Sequence, residues 1–354
     1  MNTPTLAAAL SLVAGFLLLP PAGAASPEAP LERRCGAVAA EEGRLVAGCA
    51  VGLSLRDPAS GAAGRNLLLP GGAVDVALRG RRALVSLGPN GLAVIALGGD
   101  DTAPRLLSIW PSPGAVCQTA PLEGDAEAGT GCQRWVAADG AMGLALLEVG
   151  EQGWVRELSR LDLNHGVVGV TTAPGGVILA CAGEEGLVLL RVVEGRLVVS
   201  GRLQAIEARE AELMPPADGA EGSPRAVVAG GRGGVALVAV ESAGLRLVDR
   251  LPPMGLDHCR GVGTARNLIL SAEGTSGARL LRVEGEHMEE VERWDDLPGA
   301  VADGLIEDGP DPRVILASDR EGVMIRELAA NPPGPPSDDS TSPGAGQGSR
   351  RAGG

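Results

Sequence analysis

RRALVSLGPNGLAVIALGGDDTAPRLLSIWPSPG, residues 81–114, decides the fold. Ala83–Leu87 is a short apolar run, and Pro89, Asn90 and Gly91 make a turn behind it. Leu92–Leu97 is a second run, followed by an acidic turn with Pro104 and a third run, Leu106–Trp110. Val74–Leu78 adds one more run upstream. Short apolar runs bounded by Gly, Pro, Asn and Asp are the chemistry of strands and tight turns. Four in succession predict a small antiparallel sheet.

The rest of the chain copies this unit. A Gly stands just before the third run of each copy, at Gly52, Gly91, Gly143, Gly186, Gly234, Gly277 and Gly322. The steps are 39, 52, 43, 48, 43 and 45 residues, averaging 45. A second mark precedes each Gly: RLVAG at 44–48, RALVS at 82–86, RWVAA at 134–138, VILACAG at 177–183, RAVVAG at 225–230, NLILSAEG at 267–274 and RVILASD at 313–319. A third closes several units, as in IWPSPGAV (109–116), RLDLNHGVV (160–168) and RWDDLPGAV (293–301). A period near 45 is that of four-stranded propeller blades. Seven copies predict an all-β fold, a seven-bladed β-propeller of four-stranded antiparallel blades over residues 35–328. Runs such as Leu187–Leu190 are continuous rather than alternating, as expected of sheets buried on both faces. The last unit stops after Leu328, so its outermost strand is either missing or supplied by residues 26–34. Ala205–Leu213 alone has helical composition, but it falls where a first strand belongs and reads as strand or loop.

The repeat resembles the LVIVD-repeat family, whose units carry an apolar run, then a "GLxVIDV" element, then a "P-G-x-A" crossover. Arg82–Leu97 with Pro113, Gly114 and Ala115 matches best, and Glu184–Val192 and Glu321–Leu328 match the second element. The likeness spans residues 36–328. It departs where the family's Tyr is replaced by Leu, Trp, Val or Ile, and where the Asp after the third run is absent. The resemblance implies a β-propeller in an exported bacterial protein; it carries no single activity.

Composition bounds the partners. The formal net charge is −14, which argues against nucleic acid and against anionic membrane surfaces. All 30 basic residues are Arg, with one Phe and no Tyr, so the core is aliphatic. Lys, Tyr and Phe share A/T-rich codons, and a GC-rich genome accounts for the bias. Residues 1–25 hold no charged side chain, an apolar core at Leu6–Leu19, Pro20 and Pro21, and an Ala22-Gly23-Ala24 cleavage pattern. That is the layout of a secretory signal peptide, placing the protein in the periplasm, the outer envelope or the medium, with no membrane span after cleavage. Residues 26–34 form a leader. Residues 329–354, rich in Pro, Gly and Ser, read as a disordered tail. A monomer is expected.

In a propeller, the links between blades and the loops between second and third strands share one face, the mouth of the axial channel. On that face the repeat places Asp75, Cys117, Gln118, Asn164, His165, Glu210, Glu212, Asp257, His258, Arg260 and Asp303. Clustered carboxylates with histidines would suit a divalent cation, or they simply line a wet channel; no H-x-x-x-H or D-x-D-x-D spacing is present, and no cofactor is expected. No G-x-S-x-G elbow occurs. Gly230–Gly234 reads as a turn rather than a phosphate loop, lacking the helix and Lys.

Six cysteines in an exported chain point to disulfides. Cys35 begins a first strand and Cys49 ends its neighbour, which makes that pair the first choice. Cys117–Cys132 is a second within one blade; Cys181 and Cys259 would remain as an awkward pair across blades, and buried free thiols are the alternative. Trp110 and Trp294 share one repeat position, either as an aromatic rim or as packing between blades.

Two functions are open at this point. One is a non-enzymatic scaffold that binds a protein or small ligand at the acidic mouth. The other is a metal-dependent, lactonase-like hydrolase using the axial carboxylates and His258.

Overall fold

A computed structural model describes residues 34–98, 102–122, 131–173, 175–214, 224–242, 244–309 and 311–328. The signal-peptide, leader and tail assignments (1–25, all but the last residue of 26–34, and 329–354) lie outside them. Every regular element among the described residues is a β-strand, and none is a helix able to cross a membrane. Consecutive strands pair antiparallel into seven sheets, six with four strands and the last with three. The sheets are the blades of a seven-bladed propeller, running from Cys35–Glu41 in blade 1 to Gly322–Glu327 in blade 7.

The innermost strands are Cys35–Glu41, Asp75–Arg79, Gln118–Pro121, Gly169–Ala173, Glu210–Met214, Gly261–Ala265 and Val301–Glu307. Each packs beside the next around the axis, and that of blade 7 packs against that of blade 1. The Ala205–Leu213 stretch is thus a link running into the inner strand of blade 5.

The core explains why a single blade cannot stand alone. Seven hydrophobic clusters fill the seven interfaces between neighbouring blades. Leu179, Leu187 and Leu189 of blade 4, for example, meet Ala226, Val228 and Val238 of blade 5. Stacking buries both faces of each sheet, so the second and third strands read as unbroken apolar runs. Outer strands such as Ala63–Leu68 are largely exposed. Trp135, between blades 2 and 3, is the largest fully buried side chain.

The repeat glycine has a specific cause. Gly91, Gly143, Gly186, Gly234 and Gly277 adopt φ between 75° and 93°. At each, a Cβ would collide with the carbonyl oxygen ending the fourth strand: Trp110, Leu161, Leu203, Leu251 and Trp294 respectively. Only Gly suits both the left-handed turn and the close approach.

Ring closure uses side chains. Cys35, Val38, Leu45, Ala47 and Cys49 of blade 1 pack on Ile315, Ala317 and Val323 of blade 7. The Val38 amide donates to Asp303 Oδ2 at 2.9 Å across the same seam. Among the described residues, blade 7 has no fourth strand.

Cys35 and Cys49 are joined by a disulfide, across a pair of residues in register on adjacent strands. The expected Cys117–Cys132 bond is not made. Gln118 pairs with Ala138 and Pro121 with Trp135, so Cys117 lies at the mouth end of the hairpin and Cys132 at the far end. Strand length alone then separates them by about 20 Å, against the roughly 7 Å limit for a bridge. Cys181 and Cys259 are buried thiols in different interfaces, which is the alternative open at the sequence level.

Candidate functional site at the axial mouth

A backbone clasp sets the site. The turn glycine between second and third strands bridges the link entering the next blade, pairing Gly88 with Val116, Gly140 with Val167, Gly183 with Ala208, Gly231 with Cys259, and Gly274 with Val301. Two residues beyond each clasp lies one position of an axial ring: Gln118, Gly169, Glu210, Gly261 and Asp303. Asp75 and Ala37 hold the corresponding places in blades 2 and 1.

The polar ring side chains lean onto the following blade. The Thr119 amide donates to Asp75 Oδ2 at 3.2 Å, and the Val170 amide to Gln118 Oε1 at 2.8 Å. Asp303 accepts from Val38 in the same way. Innermost strands have an edge facing the channel, and these contacts satisfy N–H groups on it. Where a neighbour leans over, the ring residue is small. A Cβ on Gly169 would lie 3.0 Å from Gln118 Oε1, and one on Gly261 would lie 3.1 Å from Glu210 Oε2.

Asp75, Gln118, Glu210, Arg260 and Asp303 line one cavity of about 190 Å³, together with Gly36, Ala37, Val74, Cys117, Val168, Arg209 and Ala302. Six of the eleven mouth-face residues read from the sequence, Cys117 included, therefore converge. Glu212 lies two residues further down the inner strand of blade 5. His165 stands apart, half-exposed, with Nε2 3.7 Å from Glu185 Oε2. Asp257 and His258 sit on the rim. Arg232 Nε donates to His258 Nε2 at 2.9 Å, and Asp257 ties down the neighbouring turn through the Thr275 hydroxyl at 2.8 Å. Burial opposes ionisation of Asp257, yet Thr275, the His258 amide and Arg260 hold it below the usual range.

The ring carboxyls behave in the opposite sense. Burial pushes Asp75 up to about 7, with Asp303 adding to it and the Thr119 amide opposing. Burial raises Asp303 to about 6 despite its two backbone N–H partners. Glu212 is pushed up to about 8 by burial and then by Asp303. Glu210 rises well above the ordinary range through burial, then Asp303, Asp75 and Glu212. Like charges around one narrow space cannot all ionise together. Burial also drives the Cys117 thiol up to about 11, with Asp139 and Asp75 reinforcing the effect.

Among the described residues, none of these four carboxyls forms an ion pair. The two arginines turn outward instead: Arg209 Nε bonds Glu207 Oε1 at 2.7 Å, and Arg260 Nη2 lies 3.7 Å from Asp257 Oδ1. Among the described residues, no group of three His, Cys, Asp or Glu side chains is placed to hold a metal ion.

Sequence reasoning missed Arg209 and the small ring residues Ala37, Gly169 and Gly261. Aligning PGAVCQ (113–118), NHGVVG (164–169) and PGAVAD (298–303) puts Gln118, Gly169 and Asp303 in register, whereas GGAVD (71–75) is one residue shorter and Ala37 carries no such local mark. Trp110 and Trp294 pack against the 2–3 and 6–7 interface clusters, which is the inter-blade role.

No family model matches the chain, and no curated protein matches it. Among solved structures, it is similar to the computationally designed Ika8 protein, with 12% identity over 85% of this chain and 98% of that one. The TM-score is 0.55. At that identity the likeness shows the fold alone.

Proposed function

We propose that this protein is an exported, non-enzymatic β-propeller, akin to the LVIVD-repeat proteins, that binds its ligand or protein partner at the axial mouth. The observation that carries the reading is the convergence of ring residues from blades 2, 3, 5 and 7 on one cavity. Pockets at channel mouths with a few convergent polar groups are the usual binding places of such folds. The chemistry there favours binding over turnover. The cavity thiol is held protonated, and both mouth-face histidines stand outside the lining, so no nucleophile meets a base. Export draws its support from the apolar leader with its Ala22-Gly23-Ala24 pattern and from a disulfide suited to an oxidising compartment.

Two measurements test this. Expressed in a bacterial host, the protein should be recovered from the periplasm with an intact mass lacking residues 1–25. A photo-cross-linker at Val74 or Leu256, both exposed on the mouth face, should capture envelope partners or ligands. The same group at Glu194, in a hairpin turn of the opposite face, should not. Cytoplasmic retention of the unprocessed chain would refute export. Equal capture from both faces would refute the mouth as the contact surface.

A further inference from the structure

We infer that the axial cavity takes up an organic cation: an ammonium or guanidinium group, either on a free small amine or on a basic side chain of a protein partner. This deepens the binding reading above and rests on it by naming the chemistry of the group that enters.

Four observations lead there. First, the carboxyls have no cationic partner among the described residues. Asp75, Glu210 and Asp303 face one cavity, and neither arginine at its mouth turns toward them. Second, Glu210 is partly buried and lines the cavity. Its Oε1 receives only a long 3.5 Å contact from Gln118 Nε2, and its Oε2 has no partner among the described residues. The amide cannot swing closer, because Val170 N–H holds Gln118 Oε1.

Third, two buried hydroxyls beside Asp75 also lack partners. Ser86 lies directly across the hairpin from Asp75 on the same sheet face and is 0% exposed. Thr119, 4% exposed, lies on the facing surface of blade 3, and neither Oγ finds a hydrogen-bond partner. Both hydroxyls are closed off and neither residue lines the cavity, so they keep the surroundings of Asp75 polar without touching the entering group.

Fourth, the acceptors are spread around the ring rather than gathered on a point. A metal ion needs ligands converging within about 2.0–2.6 Å, and no such group is present among the described residues. An ammonium offers three N–H donors and a guanidinium five, pointing in different directions, which suits separated acceptors. The volume of about 190 Å³ is below that of pockets for drug-sized ligands and admits a small cationic group. Exposed Val74, in the cavity lining, gives an attached carbon chain an apolar surface to lie on. Entry of a cation favours the ionised form of Glu210. Binding therefore strengthens with pH, against a background set by Asp75, Glu212, Asp303, Cys117 and Arg260.

Isothermal titration of the purified protein tests the assignment. The probes are ethylammonium, guanidinium, a neutral peptide with one central lysine, its acetyl-lysine counterpart, calcium and magnesium. We expect 1:1 uptake of the organic cations, at least tenfold tighter at pH 8 than at pH 5.5. Glu210→Gln and Asp303→Asn should each weaken it at least tenfold. Val74→Phe, which crowds the mouth from an exposed lining position without altering charge, should weaken it at least tenfold, so the test survives if one carboxyl variant misfolds. A lysine peptide at least tenfold tighter than ethylammonium, with its acetylated form inert, would identify a side chain of a protein partner; comparable affinities would identify a free amine. Uptake of calcium or magnesium without amines would overturn the assignment, as would amine binding indifferent to all three substitutions or no uptake of any organic cation. Those outcomes leave the mouth-face reading intact, because the cross-linking experiment decides that separately.

Discussion

Replacing Glu212 with Gln should stabilise the ring at high pH and leave it unchanged at low pH. The Glu212 carboxyl lies on the inner strand of blade 5, one layer below the cavity. Burial and Asp303 push it from an ordinary 4.5 up to about 8. A carboxyl raised on folding contributes its full stability below the unfolded value and loses it as pH climbs through the folded one. Ionised in both states, such a group costs the fold about 5 kcal/mol at one pH unit above its folded value. The side chain keeps some contact with channel water, and screening there reduces the figure to about 2 kcal/mol. Gln preserves the shape and an acceptor for the Thr264 amide. At pH 9 the variant should therefore melt about 4–5 °C higher than the parent, taking roughly 2 °C per kcal/mol for a domain of this size. At pH 4 the two should agree within a few tenths of a kcal/mol. Urea denaturation across pH 4–9, followed by far-UV circular dichroism, reads both limits. A variant no more stable at pH 9, or a difference constant across the range, would refute the reasoning.

Four further substitutions test the turns, the packing and the disulfide. Gly186→Ala forces a Cβ against the Leu203 carbonyl at φ 88° and should cost about 3 kcal/mol in urea unfolding. Gly175→Ala, at φ 79° with open space around it, should cost only about 1 kcal/mol. Trp135→Ala, emptying the interface between blades 2 and 3, should cost about 3–5 kcal/mol. Intact mass before and after reduction should show one disulfide; peptide mapping should place it at Cys35–Cys49, and its loss by Cys49→Ser should cost about 3 kcal/mol.

The sequence by itself determined the number of blades, their order and their boundaries. Each blade must repeat the same hairpin geometry, and that leaves local traces. A Gly is obligatory where the third strand starts beneath a carbonyl, and an apolar run marks each strand buried on both faces. Such constraints act within about ten residues and are visible in one dimension. The Cys35–Cys49 bond was legible for the same reason, since both residues belong to one hairpin. Cys117–Cys132 shows the limit: counting residues does not reveal that strand register puts the two at opposite ends.

The tertiary structure decided the site. Asp75, Gln118, Glu210 and Asp303 stand tens of residues apart, and only ring closure brings them around one axis. Whether a mouth-face residue enters the cavity depends on its offset from the clasp. Two residues beyond it lies the ring; Asp257 and His258, which precede or adjoin it, stay on the rim. The raised carboxyl values have the same origin, because desolvation and mutual repulsion exist only once seven blades enclose the space. Blade chemistry is local and written in the repeat, while the electrostatics of the axis belongs to the closed ring.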